Sequence, residues 1–148
     1  MNNDAALKEK IIIVLINNLG IVKGRTRLQK ILFLLENEEN LDSHIKFEKW
    51  QYGPYSNEIS RIIDILKEEN VILETVNNTI RGESYFYIIN PEKQPEVDVI
   101  IQNLDAEALV KINNVIAKFG NMPLNQLLRY VYSRYPTWTV SSIWRGKY

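Results

Sequence analysis

The 148-residue sequence contains no cysteine and only one histidine, His44. Without cysteine the chain can form neither a disulfide framework nor a thiolate metal site, and thiol catalysis is excluded. Its longest apolar run, residues 11–16, is far shorter than the roughly 18 residues that a membrane span needs. Glycine-rich phosphate loops are missing as well, because Gly24 and Gly53 stand alone. These absences predict a cytoplasmic protein that does not enter a membrane.

His44 is the first residue to test for catalysis, because it follows Asp42 and Ser43 directly. The members of a catalytic triad converge from different parts of a fold, so three adjacent residues indicate a polar loop instead. The sequence therefore predicts a protein that is not an enzyme, with no catalytic residue, no metal site and no cofactor.

Charge is balanced overall, with 18 basic and 18 acidic residues, but it is distributed unevenly. Residues 1–30 carry a net charge of +4, residues 31–107 carry −10 and residues 108–148 carry +6. A uniformly basic nucleic-acid binder is excluded by this balance, whereas local basic patches remain compatible with it.

Hydrophobic periodicity and turn residues divide the chain into segments. They predict helices over residues 8–19, from residue 25, over residues 56–70 with Ser56 as the N-cap, from Asp105 to Gly120, and from residue 121 to Pro136. Two strands are predicted at residues 71–76 and 85–89, on either side of a turn at 77–83. An extended segment is predicted at residues 41–52 and a linker at 90–95. The predicted fold is α+β and mostly helical. A winged-helix core of three helices plus a β-hairpin wing would occupy residues 1–90, and a C-terminal helical extension would occupy residues 91–148.

Two motifs carry a family resemblance. Residues 26–33 read Thr-Arg-Leu-Gln-Lys-Ile-Leu-Phe, and residues 47–54 read Phe-Glu-Lys-Trp-Gln-Tyr-Gly-Pro. In this order they resemble the YwgA-like winged-helix family and the related Panacea (SocA-like) antitoxin domain, over roughly residues 8–90. Tyr55 after the Gly-Pro pair is more similar to the YwgA-like group. The resemblance implies a non-enzymatic module that neutralises toxins or serves as a proteolytic adaptor, and other members are suspected transcription regulators.

The first functional hypothesis is a regulator or adaptor that binds a partner protein such as a toxin, a protease or a defence-system component. Aromatic and arginine side chains are the usual anchors of protein interfaces. The predicted partner-binding residues are Tyr55, Tyr132, Tyr135, Trp138, Trp144, Arg134 and Arg145. The C-terminal helices could alternatively form a homodimer. Trp50 and Tyr52 are predicted to fill the core.

The second hypothesis is a DNA-binding transcriptional repressor that uses the winged helix. Its predicted contacts are Arg25, Arg27, Lys30, Ser56, Asn57, Arg61 and Arg81. The helix that would enter the major groove has a net charge of −2, which phosphate repulsion disfavours. This hypothesis requires one positive face that the acidic residues Glu58 and Asp64 do not dominate.

Overall fold

The computed structural model of the protein describes the backbone of residues 3–139 and the side chains of residues 6–139. The elements follow in the order α1 (Asn3–Leu19), β1 (Val22–Lys23), α2 (Arg25–Glu38), β2 (Glu48–Trp50), β3 (Gly53–Tyr55), α3 (Asn57–Glu68), β4 (Ile72–Thr79), β5 (Gly82–Ile89), α4 (Gln94–Asn103), α5 (Ala106–Phe119) and α6 (Leu124–Arg134), with 3-10 helices at Pro91–Lys93 and Pro136–Trp138. The fold is α+β and mostly helical, as predicted. Among the described residues, no helix is long and apolar enough to cross a membrane.

The strands form two separate antiparallel sheets. β1, β5 and β4 make a three-stranded sheet in that order, while β2 and β3 form a hairpin of their own. Pairing of β4 with β5 continues to Thr79 opposite Gly82, so only Ile80 and Arg81 lie between the two strands. The predicted turn over residues 77–83 was therefore too long. Its polar residues pair through their backbones in a part of the hairpin where the side chains are exposed.

Helix starts predicted from capping residues are confirmed. The Ser56 hydroxyl accepts a hydrogen bond from the Ile59 N–H at the start of α3. The Asp105 carboxylate accepts one from the Ala108 N–H at the start of α5. Each cap satisfies a backbone donor that the first helical turn leaves without an intrahelical partner, which is why these residue types mark helix starts.

The core lies around α1 and α2. The consecutive residues 11–16 of α1 are all buried, and so are residues 28–35 of α2. α1 packs against β5 and also against α4 and α5, while α2 packs against α5 and α6. The prediction that the first helix is buried on two sides is confirmed. The C-terminal helices contribute to the same hydrophobic cluster through Val97, Ile112, Val115, Phe119, Leu127 and Val131.

Residues 90–95 were predicted to be a linker, and this was wrong. They form a 3-10 helix followed by the first residues of α4. Asn90 is buried, donates to the Asn70 carbonyl and accepts from the Glu92 N–H. The side chain of Gln94 donates to Asn17 in α1. These tertiary contacts give the polar segment its structure. The division of the chain at residue 90 and the winged-helix arrangement both stay predictions.

Candidate partner-binding site

The two sequence motifs meet where α2 faces the β2–β3 hairpin and the start of α3. The Gln29 amide Nε2 donates to the Ser56 carbonyl at 2.9 Å, and its Oε1 accepts from the Ser56 N–H at 2.8 Å. Both residues are buried. Because a buried backbone donor or acceptor is costly when unpaired, this reciprocal pair holds the start of α3 against α2.

Lys30 is the second polar residue in this buried stretch of α2. Its side chain is 2% exposed, and its Nζ donates to the Pro54 carbonyl at 3.0 Å. Burial lowers the pKa of the Lys30 amine to about 7, because removal from water disfavours the charged form. The Lys30 side chain therefore connects α2 to the backbone of β3. It is not at the surface, where a DNA phosphate contact would require it.

Gly53 allows this close approach. Its φ is +91°, a conformation that favours glycine. A Cβ atom at this position would lie 3.3 Å from the Tyr132 Cε1 and 3.7 Å from the Thr139 Cγ2. The start of β3 therefore fits between α2 and the C-terminal part of the chain, and a larger residue at position 53 would press on Tyr132.

A cavity of about 220 Å³, here called the motif cavity, lies between α2, the hairpin and α3. It is lined by Arg25, Thr26, Gln29, Lys30, Trp50, Tyr52, Tyr55 and Ser60. The rings of Trp50 and Tyr55 stack with centroids 4.5 Å apart and planes inclined by 29°. The Tyr55 hydroxyl lies 2.7 Å from the Ser60 hydroxyl. An aromatic pair thus borders a cavity whose other lining residues are polar.

The prediction that Trp50 and Tyr52 fill the core was wrong for Trp50. Its side chain is 45% exposed, and all three residues of β2 are exposed. Among the described strands, β2 pairs with β3 alone and is not part of the three-stranded sheet. Tyr52 is half-buried. The aromatic composition of the segment indicated burial, but the position of the hairpin on the surface decided otherwise.

Two predicted partner-binding residues of the C-terminal segment, Tyr135 and Trp138, pack against α2 within the chain. Tyr135 and Trp138 meet Phe33 edge to face, at centroid distances of 5.1 and 5.3 Å. The hydroxyls of Tyr130 and Tyr135 donate to the Glu38 carboxylate. Burial raises the pKa of Glu38, but these two hydrogen bonds act in the opposite direction, and the net pKa is below the ordinary value. This cluster holds the end of the described chain against α2.

The remaining predicted partner-binding residues differ in placement. Tyr132 is half-buried beside Gly53. Arg134 is exposed, with its Nε 3.8 Å from the Glu38 carboxylate. Trp144 and Arg145 lie outside the described residues. A role of these residues in partner binding stays a prediction.

The seven predicted DNA-contacting residues do not form one basic surface. Arg25 donates to the Tyr87 hydroxyl and to Asp64, each at 2.8 Å. Arg27 donates to the Met122 carbonyl at 2.6 Å. Lys30 and Ser56 are buried, while Asn57, Arg61 and Arg81 are exposed. Three of the five basic side chains in the set, Arg25, Arg27 and Lys30, are therefore engaged within the chain, and this arrangement gives DNA binding no support.

The sequence analysis did not find the motif cavity or the role of Gln29. A signal was present, because Gln29 and Lys30 interrupt an otherwise apolar run from Leu28 to Leu35. Buried polar residues need specific partners, so a polar pair inside such a run indicates a long-range contact. Which segment supplies the partners could be read only from the tertiary structure.

Comparison with known proteins identifies the family of this chain. No match was found among curated proteins. The family model described as "Antitoxin SocA-like, Panacea domain" matches residues 28–139. The match starts at Leu28 and runs through α6, so the predicted limit of the resemblance at residue 90 was wrong. The narrower resemblance to the YwgA-like group stays a prediction. Since the match covers more than half of the chain, the protein belongs to the antitoxin SocA-like, Panacea domain family.

Proposed function

We propose that the protein is a non-enzymatic, antitoxin-like regulator or adaptor of the cytoplasm that binds a partner protein through its β2–β3 hairpin. The partner is a toxin, a protease or a component of a defence system. Membership of an antitoxin family supports this class of function. The observation that carries the choice of surface is the exposed ring of Trp50, which stacks on the half-buried ring of Tyr55.

Trp and Tyr are enriched among the residues that contribute most to protein interfaces. Trp50 offers a large apolar surface, and the stacking contact with Tyr55 fixes its orientation. The hairpin itself is held by the buried contacts of Gln29 and Lys30. A surface that is ordered before binding loses little conformational entropy when the partner arrives.

The C-terminal segment supports this surface from behind. Tyr132 lies against Gly53, and the 3-10 helix Pro136–Trp138 packs on β2. We therefore expect truncation of the chain before α6 to impair partner binding by loosening the hairpin. A homodimer through the C-terminal helices is a separate prediction, and light scattering of the purified chain would test it.

Capture of the tagged protein from its native cells tests the proposed surface. Capture is carried out with and without nuclease, and the wild type is compared with Trp50→Ala and with Val110→Ala. Val110 lies on α5 and is 57% exposed, so its truncation removes a similarly exposed apolar side chain from another face. We expect a stoichiometric partner with the wild type and with Val110→Ala, and at least tenfold less with Trp50→Ala.

Circular dichroism of the three proteins checks that each is folded. Equal capture by Trp50→Ala and the wild type would contradict the proposed surface. Recovery of defined DNA fragments without a protein partner would contradict the adaptor function and favour a repressor.

A further inference from the structure

The residues around the motif cavity are biased toward positive charge. Two of them, Arg25 and Lys30, carry basic side chains, and none of the described residues that line it is acidic. The guanidinium of Arg25 is already paired with Asp64. Lys30 has no such partner within residues 6–139, since its Nζ bonds one acceptor, the Pro54 carbonyl. An ammonium group has three donors, so Lys30 retains the capacity to bind an anion.

We propose that the motif cavity binds a carboxylate side chain, from Asp or Glu of the partner protein, as the ion-pair partner of Lys30. This inference rests on the proposed function, because the hairpin that bears Trp50 and Tyr55 borders the cavity. A buried cation is costly unless it is paired, so an entering carboxylate gains a partner that is already desolvated. Hydroxyl groups of Tyr52 and Ser60 provide further donors in the same space.

The size of the cavity suits a side chain. A water molecule takes up about 30 Å³ of liquid volume, so a cavity of about 220 Å³ admits a group of a few heavy atoms. The methylene groups of a glutamate can lie against the stacked rings of Trp50 and Tyr55 while its carboxylate reaches Lys30. Inorganic phosphate has no apolar part for these rings to contact, and this favours the side chain of a protein.

Nuclear magnetic resonance of the full chain tests the site with two amino-acid probes whose amino and carboxyl ends are both blocked and uncharged. N-acetyl-glutamate methylamide carries the carboxylate, and N-acetyl-glutamine methylamide is its uncharged isostere. At pH 6.5 we expect the glutamate probe to shift the Trp50 indole N–H and the Lys30 Cε resonances with saturation, and the glutamine probe to bind at least tenfold more weakly. Equal binding of the two probes, or tighter binding of inorganic phosphate than of the glutamate probe, would overturn the proposal.

Two variants locate the charge. Lys30→Met should abolish the preference for the glutamate probe, whereas Lys67→Met should retain it, because Lys67 pairs with Glu74 outside the motif cavity. An unchanged preference in Lys30→Met would overturn the assignment. Should Lys30→Met not fold, the pKa of Lys30 in the wild type still decides, since saturating glutamate probe should raise it and the glutamine probe should not. No such rise would count against the proposal.

Failure of this inference can be told apart from failure of the proposed function. If Trp50→Ala weakens capture of the partner while Lys30→Met captures as the wild type does, the hairpin binds the partner but the carboxylate site is wrong. If Trp50→Ala captures as the wild type does, the proposed surface itself is wrong, whatever the probes show.

Discussion

Replacing Lys30 by methionine should make the protein more stable at neutral pH and should remove a pH dependence. Burial lowers the pKa of the Lys30 amine from 10.5 to about 7. Between these values the unfolded chain carries a proton that the folded chain has lost. The free energy of unfolding of the wild type therefore rises with pH in this range, by about 1.4 kcal/mol per pH unit. The Lys30→Met variant has no amine to titrate.

The size of the effect follows from the same pKa difference. At pH 7.5, three pH units below the ordinary value, the buried amine costs the fold about 4 kcal/mol. Removing it leaves the Pro54 carbonyl without its hydrogen bond, which costs about 1–3 kcal/mol. We therefore expect Lys30→Met to be the more stable protein at pH 7.5. Its advantage should shrink by roughly 2–3 kcal/mol between pH 7.5 and pH 9.5.

Urea unfolding at pH 7.5, 8.5 and 9.5, followed by far-ultraviolet circular dichroism, measures these differences. Tyrosines of ordinary pKa, about 10, begin to ionise at the upper end of this range, but they do so in the wild type and in Lys30→Met alike and cancel in the difference between the two proteins. Lys67→Met is the control, because the half-buried Lys67 forms an ion pair with Glu74, whereas Lys30 is buried without one in the described part of the chain. If the stabilities of the wild type and Lys30→Met ran parallel across the three pH values, the buried, neutral amine would be refuted.

Three further substitutions test the contacts around the motifs. Gln29→Ala leaves the buried Ser56 N–H unpaired and removes one of the two hydrogen bonds to the Ser56 carbonyl, so it should lower the free energy of unfolding by about 1–3 kcal/mol, which urea unfolding measures. Gly53→Ala forces a Cβ against Tyr132 at a φ of +91° and should cost about 1–3 kcal/mol and weaken partner capture; unchanged stability would contradict the close packing. Glu38→Gln should flatten the acid limb of the stability curve. The lowered pKa of Glu38 means that its contribution is complete above the ordinary carboxylate pKa of 4.5 and is lost as the pH falls through the lowered value, so acid unfolding of the variant against the wild type measures it.

Local signals predicted most of the secondary structure. The apolar stripe and the Ser56 cap placed α3, and Asp105 and Gly120 bounded α5 correctly. These signals depend on residues within one or two helical turns of one another, so they can be recognised in the sequence without knowledge of the tertiary structure. The errors came where a segment lacks such a signal. The polar residues 77–79 and 82–84 extend the β4–β5 hairpin by pairing with one another. The proline-containing segment at 90–95 has structure because the distant residues Asn17 and Asn70 pair with it.

The sequence by itself therefore determined the α+β class, most helix boundaries and, through two motifs, the family. The tertiary structure decided which aromatic residues are exposed and which polar residues are buried. Trp50 is at the surface because β2, among the described strands, pairs with β3 alone. Tyr135 and Trp138, by contrast, pack edge to face against Phe33 of α2. Lys30 is buried where β3 packs on α2, and its amine donates to the Pro54 carbonyl, 24 positions later in the chain. Periodicity records which face of an element is apolar, but only the packing of distant segments settles what covers that face and which polar groups meet beneath it.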